Sequence, residues 1–231
     1  MEEVAIWFHI GPLAITSVVV TTWGVMLALT LFCWLATRHL ALDPGPLQTV
    51  LEGAVSAIEE AIEAVLPEPG SAQPLLPFIG TLWIYILVSN LLGIIPGLHG
   101  PTGNLSVTSG LALLVFLSVH WFGARSQGVR RYLRHYLSPS PILLPFHLIS
   151  EVTRTAALAV RLFGNIMSLE MAALLVLLVA GVLAPVPLMM LHIVEAMVQA
   201  YIFGMLALIY VAGAMQSQQN LERNEEGDGD E

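Results

Sequence analysis

The sequence predicts an all-α polytopic membrane protein with about five membrane segments and one amphipathic helix at the cytoplasmic surface. Its last two helices are long enough to form a strongly tilted hairpin. Three observations carry this. Hydrophobic residues make up 56% of the chain and charged residues only 11%, with a mean hydropathy of +0.79, outside the range of soluble domains. Apolar runs long enough for the roughly 20 residues that cross the hydrocarbon occur five times. Charge is pushed out of those runs: of 17 acids, six crowd between Glu222 and Glu231 and five between Glu52 and Glu68.

The first span is expected at 15–36, and its Cys33 is the chain's single cysteine, so an internal disulfide or cysteine metal cluster is excluded. Met1-Glu2-Glu3 lacks the basic start and small-residue site of a cleaved signal, and none is expected. Residues 46–66 come next. There Leu47, Val50, Leu51, Ala54, Val55, Ile58, Ile62 and Val65 recur at helical spacing, with Glu52, Glu59, Glu60 and Glu63 mostly on other faces. These acids repel anionic lipid, so a protein partner is as good a cover for the apolar face as the bilayer. The second and third spans are expected at 75–95 and 105–122. Asn104-Leu105-Ser106 matches a glycosylation sequon and reads as the start of a helix.

The fourth and fifth apolar helices, 145–180 and 186–215, are separated by Ala184-Pro185-Val186-Pro187. At 1.5 Å per residue they reach roughly 45–54 Å against a hydrocarbon core of about 30 Å. Strong tilt accommodates the excess, with a kink at Gly164 as the rival. The 216–231 segment is an acidic tail expected to be disordered, and the whole chain reads as a single membrane domain. Arg125, Arg130, Arg131 and Arg134 follow the third span and Arg38 the first, so those loops are read as cytoplasmic, the N-terminus as outside and the C-terminus as inside.

All eight basic residues are arginines, so a phosphate-binding loop ending in Lys-Ser/Thr is excluded. Nucleotide chemistry is not expected of this chain, nor is a nucleic-acid partner.

Arg161 interrupts an apolar run from Ala156 to Asn165. An arginine near mid-membrane costs about 2.5–3.5 kcal/mol on insertion scales, and it cannot shed its proton. A structural arginine paired with a carboxylate or reaching a headgroup is the bland account. Ser150, Arg154, Ala157, Arg161, Asn165 and Ser168 share one stripe, with small Gly164 beside it, so another helix can approach closely. Glu170, nine residues on, is half a turn out of phase and no obvious partner. On the last helix His192, Glu195 and Gln199 share a face. Two carboxylates and an imidazole toward one membrane face suit a hydrated ion pathway. Two alternatives stand beside it: half of a metal site at His192-Ile193-Val194-Glu195, which needs further ligands, and a hydrogen-bonded knot joining the two helices.

At these residues the chain resembles subunit a of F-type ATP synthases. The likeness spans most of the sequence: Thr21-Thr22-Trp23, Ser89-Asn90-Leu91-Leu92-Gly93-Ile94-Ile95-Pro96-Gly97, Pro101-Thr102, Arg161-Leu162-Phe163-Gly164-Asn165 with Glu170, and Gln199-Ala200-Tyr201-Ile202-Phe203. The resemblance implies that Arg161 is essential to ion translocation and that the tilted hairpin lies against a ring of c subunits. It further implies that Asn165, Glu170, His192, Glu195 and Gln199 border the ion path, with Glu170, His192 and Glu195 on an outer half-channel and Ser150, Glu151 and Arg154 near an inner one. By the same likeness the chain is a stator that carries H⁺ or Na⁺ to and from the ring carboxylate. It needs no cofactor or resident metal and is not catalytic alone. It works in a bacterial plasma membrane beside peripheral-stalk b subunits and the rest of the complex. One departure is Thr155, where many members carry proline, which bears on local helix geometry. A secondary transporter is the rival class, but no convincing inverted repeat is found; a structural scaffold would tolerate an uncharged residue at Arg161.

Overall fold

A computed structural model describes residues 6–10, 13–38, 45–66, 72–95, 100–128, 144–181, 184 and 186–216. Arg130, Arg131, Arg134, the tail acids, Met1-Glu2-Glu3 and Pro185 of the expected turn lie outside them. In order come β1 (Ile6–Ile10), β2 (Leu13–Thr16), α1 (Ser17–Thr37), α2 (Pro46–Val65) and α3 (Ala72–Leu92). A short 3-10 turn (Pro101–Gly103), α4 (Leu105–Gln127), α5 (Leu144–Ala180) and α6 (Val186–Gln216) follow among the described residues. Among the described residues five helices (α1, α3, α4, α5 and α6) are long and apolar enough to cross a membrane, as the composition predicts.

β1 and β2 pair antiparallel, with Phe8 opposite Ile15 and Ile10 opposite Leu13. The reading by spans assigned nothing before residue 15. The cue lies in the aromatic and β-branched residues on either side of Gly11-Pro12, a hairpin pattern too short to compete with the 20-residue runs.

Helix ends follow from local chemistry. Pro46 opens α2, where a missing N–H is no loss. Asn104 caps α4: its side chain accepts from the Ser106 N–H at 2.9 Å, so the sequon residues do start a helix. α4 runs five residues beyond the expected 122 because Gly123-Ala124-Arg125-Ser126-Gln127 continues the helix past the end of the apolar run. α3 starts and ends three residues before the apolar run from which its span was read.

α3 packs along α6, and α4 lies against both α5 and α6. The long helices are therefore joined less by each other than through α4. Ile62 of α2, Leu75, Ile79 and Ile86 of α3, Val115 of α4, Leu162 of α5, and Phe203, Leu208 and Val211 of α6 form one buried cluster. The apolar face of α2 is covered partly from within: Ile58 and Ile62 are buried, α2 packs on α3, and Ile58 Cδ1 reaches Gly80. Leu47, Val50 and Val55 stay exposed. A partner is thus not needed for the C-terminal half of that face, because α3 presents a complementary one.

Two glycines allow close approach. A Cβ on Gly204 of α6 would run into the Trp83 indole of α3. That indole stacks on Tyr201 at 5.9 Å between centroids and donates from Nε1 to the Tyr201 carbonyl at 3.3 Å. A Cβ on Gly100 would meet the Ser89 carbonyl at 2.7 Å, so the 3-10 turn can press onto the end of α3 only with glycine there.

Candidate ion-path site

α5 spans 37 residues, about 55 Å at 1.5 Å per residue, so positions along it sample widely different depths. Its 3.6-residue repeat divides it into two faces. Leu158, Leu162 and Ile166 are buried against the bundle, while Ser150, Arg154, Ala157, Arg161 and Ser168 are exposed and Asn165 is half-buried. Gly164 is exposed too, and a Cβ there would meet nothing within 4 Å. Among the described residues Arg161 has no hydrogen bond or ion pair. It is also the one charged side chain between Arg154 and Glu170. A bare guanidinium therefore stands on an open, small-residue face of an apolar helix.

Beside it, Asn165 Nδ2 donates to Gln199 Oε1 at 2.7 Å, linking α5 to α6. Gln199 is 2% exposed and its Nε2 has no hydrogen-bond partner.

A polar cluster lies about 13 Å along α5 from Arg161, nine residues on. There α3, the 3-10 turn, α5 and α6 converge on Glu170. The point where a Gly93 Cβ would stand is 3.5 Å from Glu170 Oε1 and 3.7 Å from His192 Cε1, and the corresponding point at Gly103 is 3.3 Å from Oε1. Glycine at both positions leaves space for the carboxylate. Ser89, Asn90 and Thr102 are wholly buried, and His192 is 7% exposed. Asn90 Nδ2 donates to the Ala196 carbonyl at 3.5 Å. Four other polar atoms (Ser89 Oγ, Asn90 Oδ1, Thr102 Oγ1 and His192 Nε2) have no hydrogen-bond partner. Glu195, three residues beyond His192, is half-buried. No group of three or more His, Cys, Asp or Glu able to hold a metal is found among the described residues.

A second polar group lies about 10–15 Å from Arg161 in the other direction. Glu151 Oε2 stands 3.7 Å from His120 Nε2 of α4, and His120 Nδ1 is 2.8 Å from the Phe116 carbonyl. The Arg154 guanidinium lies 4.8 Å over the Tyr210 ring of α6. Glu151, Arg154, Thr155 and Tyr210 border a cavity of about 20 Å³, room for about one water. α5 passes regularly through Thr155, whose hydroxyl donates to the Glu151 carbonyl at 2.9 Å.

Sequence reasoning did not single out His120 or Tyr210, and it noted Ser89, Asn90 and Thr102 only as parts of familiar motifs. Asn90 carries a usable signal, an amide inside an apolar span. His120 and Tyr210 carry none, since their roles depend on which helices meet.

Residues 19–212 match the family model described as ATP synthase A chain. The chain is 64% identical over 217 residues to ATP synthase subunit a 2 of Pelobacter propionicus, covering 94% of each protein. It is 65% identical to ATP synthase subunit a 1 of Hahella chejuensis, over 91% of this chain and 89% of that one. With ATP synthase subunit a of Legionella pneumophila subsp. pneumophila it shares 56% identity over 92% of both.

Proposed function

Since this chain belongs to the ATP synthase A chain family, the ion-channel stator subunit of the membrane sector, we propose that Arg161 separates two half-channels leading to and from the carboxylates of a c-subunit ring. The chain is an integral membrane protein and part of an ATP synthase complex. The observation that carries the finer reading is an exposed, unpaired guanidinium between two polar clusters on one long helix.

The cluster of Glu170, His192, Ser89, Asn90 and Thr102 forms the outer half-channel, with Glu195 beside it. Its buried polar atoms without protein partners call for water, and its ionisable groups can bind and release H⁺ or exchange a cation. Asn165 and Gln199 bridge the hairpin next to Arg161 and position the outer path against the ring face. Ser150, Glu151 and Arg154 line the inner half-channel. An ion enters by one path, neutralises a ring carboxylate, and travels with the ring through lipid before leaving by the other. Arg161 favours the ionised form of each arriving carboxylate, which releases the ion. Its charge also repels a cation taking the direct route. Each charge crossing the membrane gains about 2.3 kcal/mol per 100 mV, and rotation couples that energy to ATP made or hydrolysed elsewhere in the complex. The N-terminus faces outward across a bacterial plasma membrane, the C-terminus faces the cytoplasm, and b subunits of the stalk hold the chain still.

Membrane vesicles carrying Arg161→Ala test this. The complex is expected to assemble and hydrolyse ATP while ATP-driven ion pumping is abolished. Pumping at the wild-type rate would refute the assignment.

A further inference from the structure

His120 belongs to α4, outside the tilted hairpin, yet it reaches the polar group that precedes Arg161 on α5. Its Nδ1 lies 2.8 Å from the Phe116 carbonyl, one turn back on the same helix. A carbonyl only accepts, so Nδ1 keeps its hydrogen in either charge state, and the proton that His120 gains or loses sits on Nε2. Nε2 is the atom that faces Glu151, 3.7 Å from Oε2. The Phe116 ring also packs against the imidazole, with centroids 4.4 Å apart. Hydrogen bond and ring contact together aim the titrating nitrogen at the carboxylate. The separation is too long for a hydrogen bond but close enough for a full charge to act on its neighbour. The His120 side chain is 33% exposed and that of Glu151 17%, so the imidazole can exchange a proton with water while the carboxylate lies largely out of it.

The titratable and charged groups around this pair come from three helices. Arg154 of α5, three residues after Glu151, lies 4.8 Å over the Tyr210 ring of α6, and Arg154 and Tyr210 border the same cavity as Glu151. His147, one turn before Glu151 on α5, is exposed. Arg125 of α4 is exposed as well, and its offset of five residues from His120 turns it to another face. Glu151 and Arg154 carry opposite charges, so among these inward groups His120 decides whether the cluster is neutral or carries one positive charge. Imidazole is the side chain whose charge ordinarily changes between about pH 5 and 8. We propose that His120 is a pH-dependent regulator of the inner half-channel. Neutral, it leaves the Glu151 charge to draw a cation into the path; protonated, it pairs with the carboxylate and repels that cation. Resting on the assignment of Ser150, Glu151 and Arg154 to the inner path, this role holds for H⁺ and Na⁺ alike, because either cation meets the same field.

Everted membrane vesicles holding the whole complex, with the inner path outward, test this by ATP-driven charge uptake read with an oxonol dye. The external pH is varied from about 5 to 8 while the interior is buffered, and each variant is expressed as a ratio to wild type at the same pH. The ratio cancels the pH dependence of ATP hydrolysis and of proton supply, and a difference in assembly scales it by one constant factor. A unit charge about 4 Å away is worth about 1 kcal/mol in water, or about 5-fold in occupancy. The ratio for His120→Gln, which is never charged, is expected to be up to about 5-fold higher at the acid end than at the alkaline end. The ratio for His120→Arg, which is always charged, should be lower at the alkaline end than at the acid end by a similar factor. His147→Gln should give a level ratio. Level ratios for both His120 variants, or a slope in His147→Gln instead, would overturn the role of His120; slowed pumping by Glu151→Gln in the same experiment would then show that the inner-path assignment survives. Pumping unchanged in Glu151→Gln, with a cysteine at Ser150 unreactive from outside in a Cys33→Ala background, would overturn both.

Discussion

Ser89, Asn90, Thr102 and His192 bring four unpartnered polar atoms to the surroundings of one carboxylate, Glu170. A dry cluster of this kind is costly, because each unmet polar group forfeits its hydration at about 1–3 kcal/mol. On the proposed reading, water joining these groups removes the cost and makes the site a shared one, in which an ion can be rerouted from one group to the next. Single substitutions such as Glu195→Gln are therefore expected to slow ion transport and shift its pH dependence without abolishing it. Removing Glu170, His192 and Glu195 together should be far more damaging than the product of the single effects, as reads out in ATP-driven pumping by vesicles. Independent, multiplicative losses would argue against a shared site.

Helix faces set the next level of organisation. α5 turns Leu158, Leu162 and Ala159 inward and Ala157, Arg161 and Ser168 outward, so the proposed ring is expected to approach the second face. In a Cys33→Ala background, cysteines at Ala157 or Ser168 should crosslink to a c subunit, and a cysteine at Ala159 should not. The reverse pattern would place the ring on the wrong side of α5. α3 and α6 meet more tightly. Gly204 lies directly under the Trp83 indole, and overpacking a fitted interface costs about 1–3 kcal/mol. Gly204→Ala should therefore lower the unfolding temperature of the complex in detergent and loosen the Trp83–Tyr201 stack, measurable by tryptophan fluorescence. An unchanged melting temperature and spectrum would show that the indole moves aside freely.

Across the whole bundle, the two polar clusters lie on either side of Arg161 along α5, about 13 Å from it in one direction and about 10–15 Å in the other. Neither distance spans the roughly 30 Å hydrocarbon, so each cluster is expected to be reached from its own side of the membrane. With Cys33 replaced by alanine, a small membrane-impermeant thiol reagent should modify a cysteine at Thr102 from one side of sealed vesicles and one at Ser150 from the other. A cysteine at Leu178, which is 85% exposed on the apolar end of α5, should react from neither. Reaction of both polar positions from the same side would rule out two half-channels.

The membrane class, the five long helices, the Asn104 helix start and the outward stripe on α5 were all legible in the sequence. Each depends on local periodicity or on a transfer cost paid residue by residue, so linear order is enough to reveal it. The Asn165–Gln199 bond, the convergence of Gly93, Gly103, Glu170 and His192, and the His120–Glu151 and Arg154–Tyr210 contacts were decided only by tertiary structure. They join residues on different helices, and a repeating apolar pattern fixes which face of a helix is buried without fixing which neighbour covers it. The same limit explains α2, whose amphipathic face was plain from its spacing although α3, a helix beyond the next loop, was the element that covered its C-terminal half.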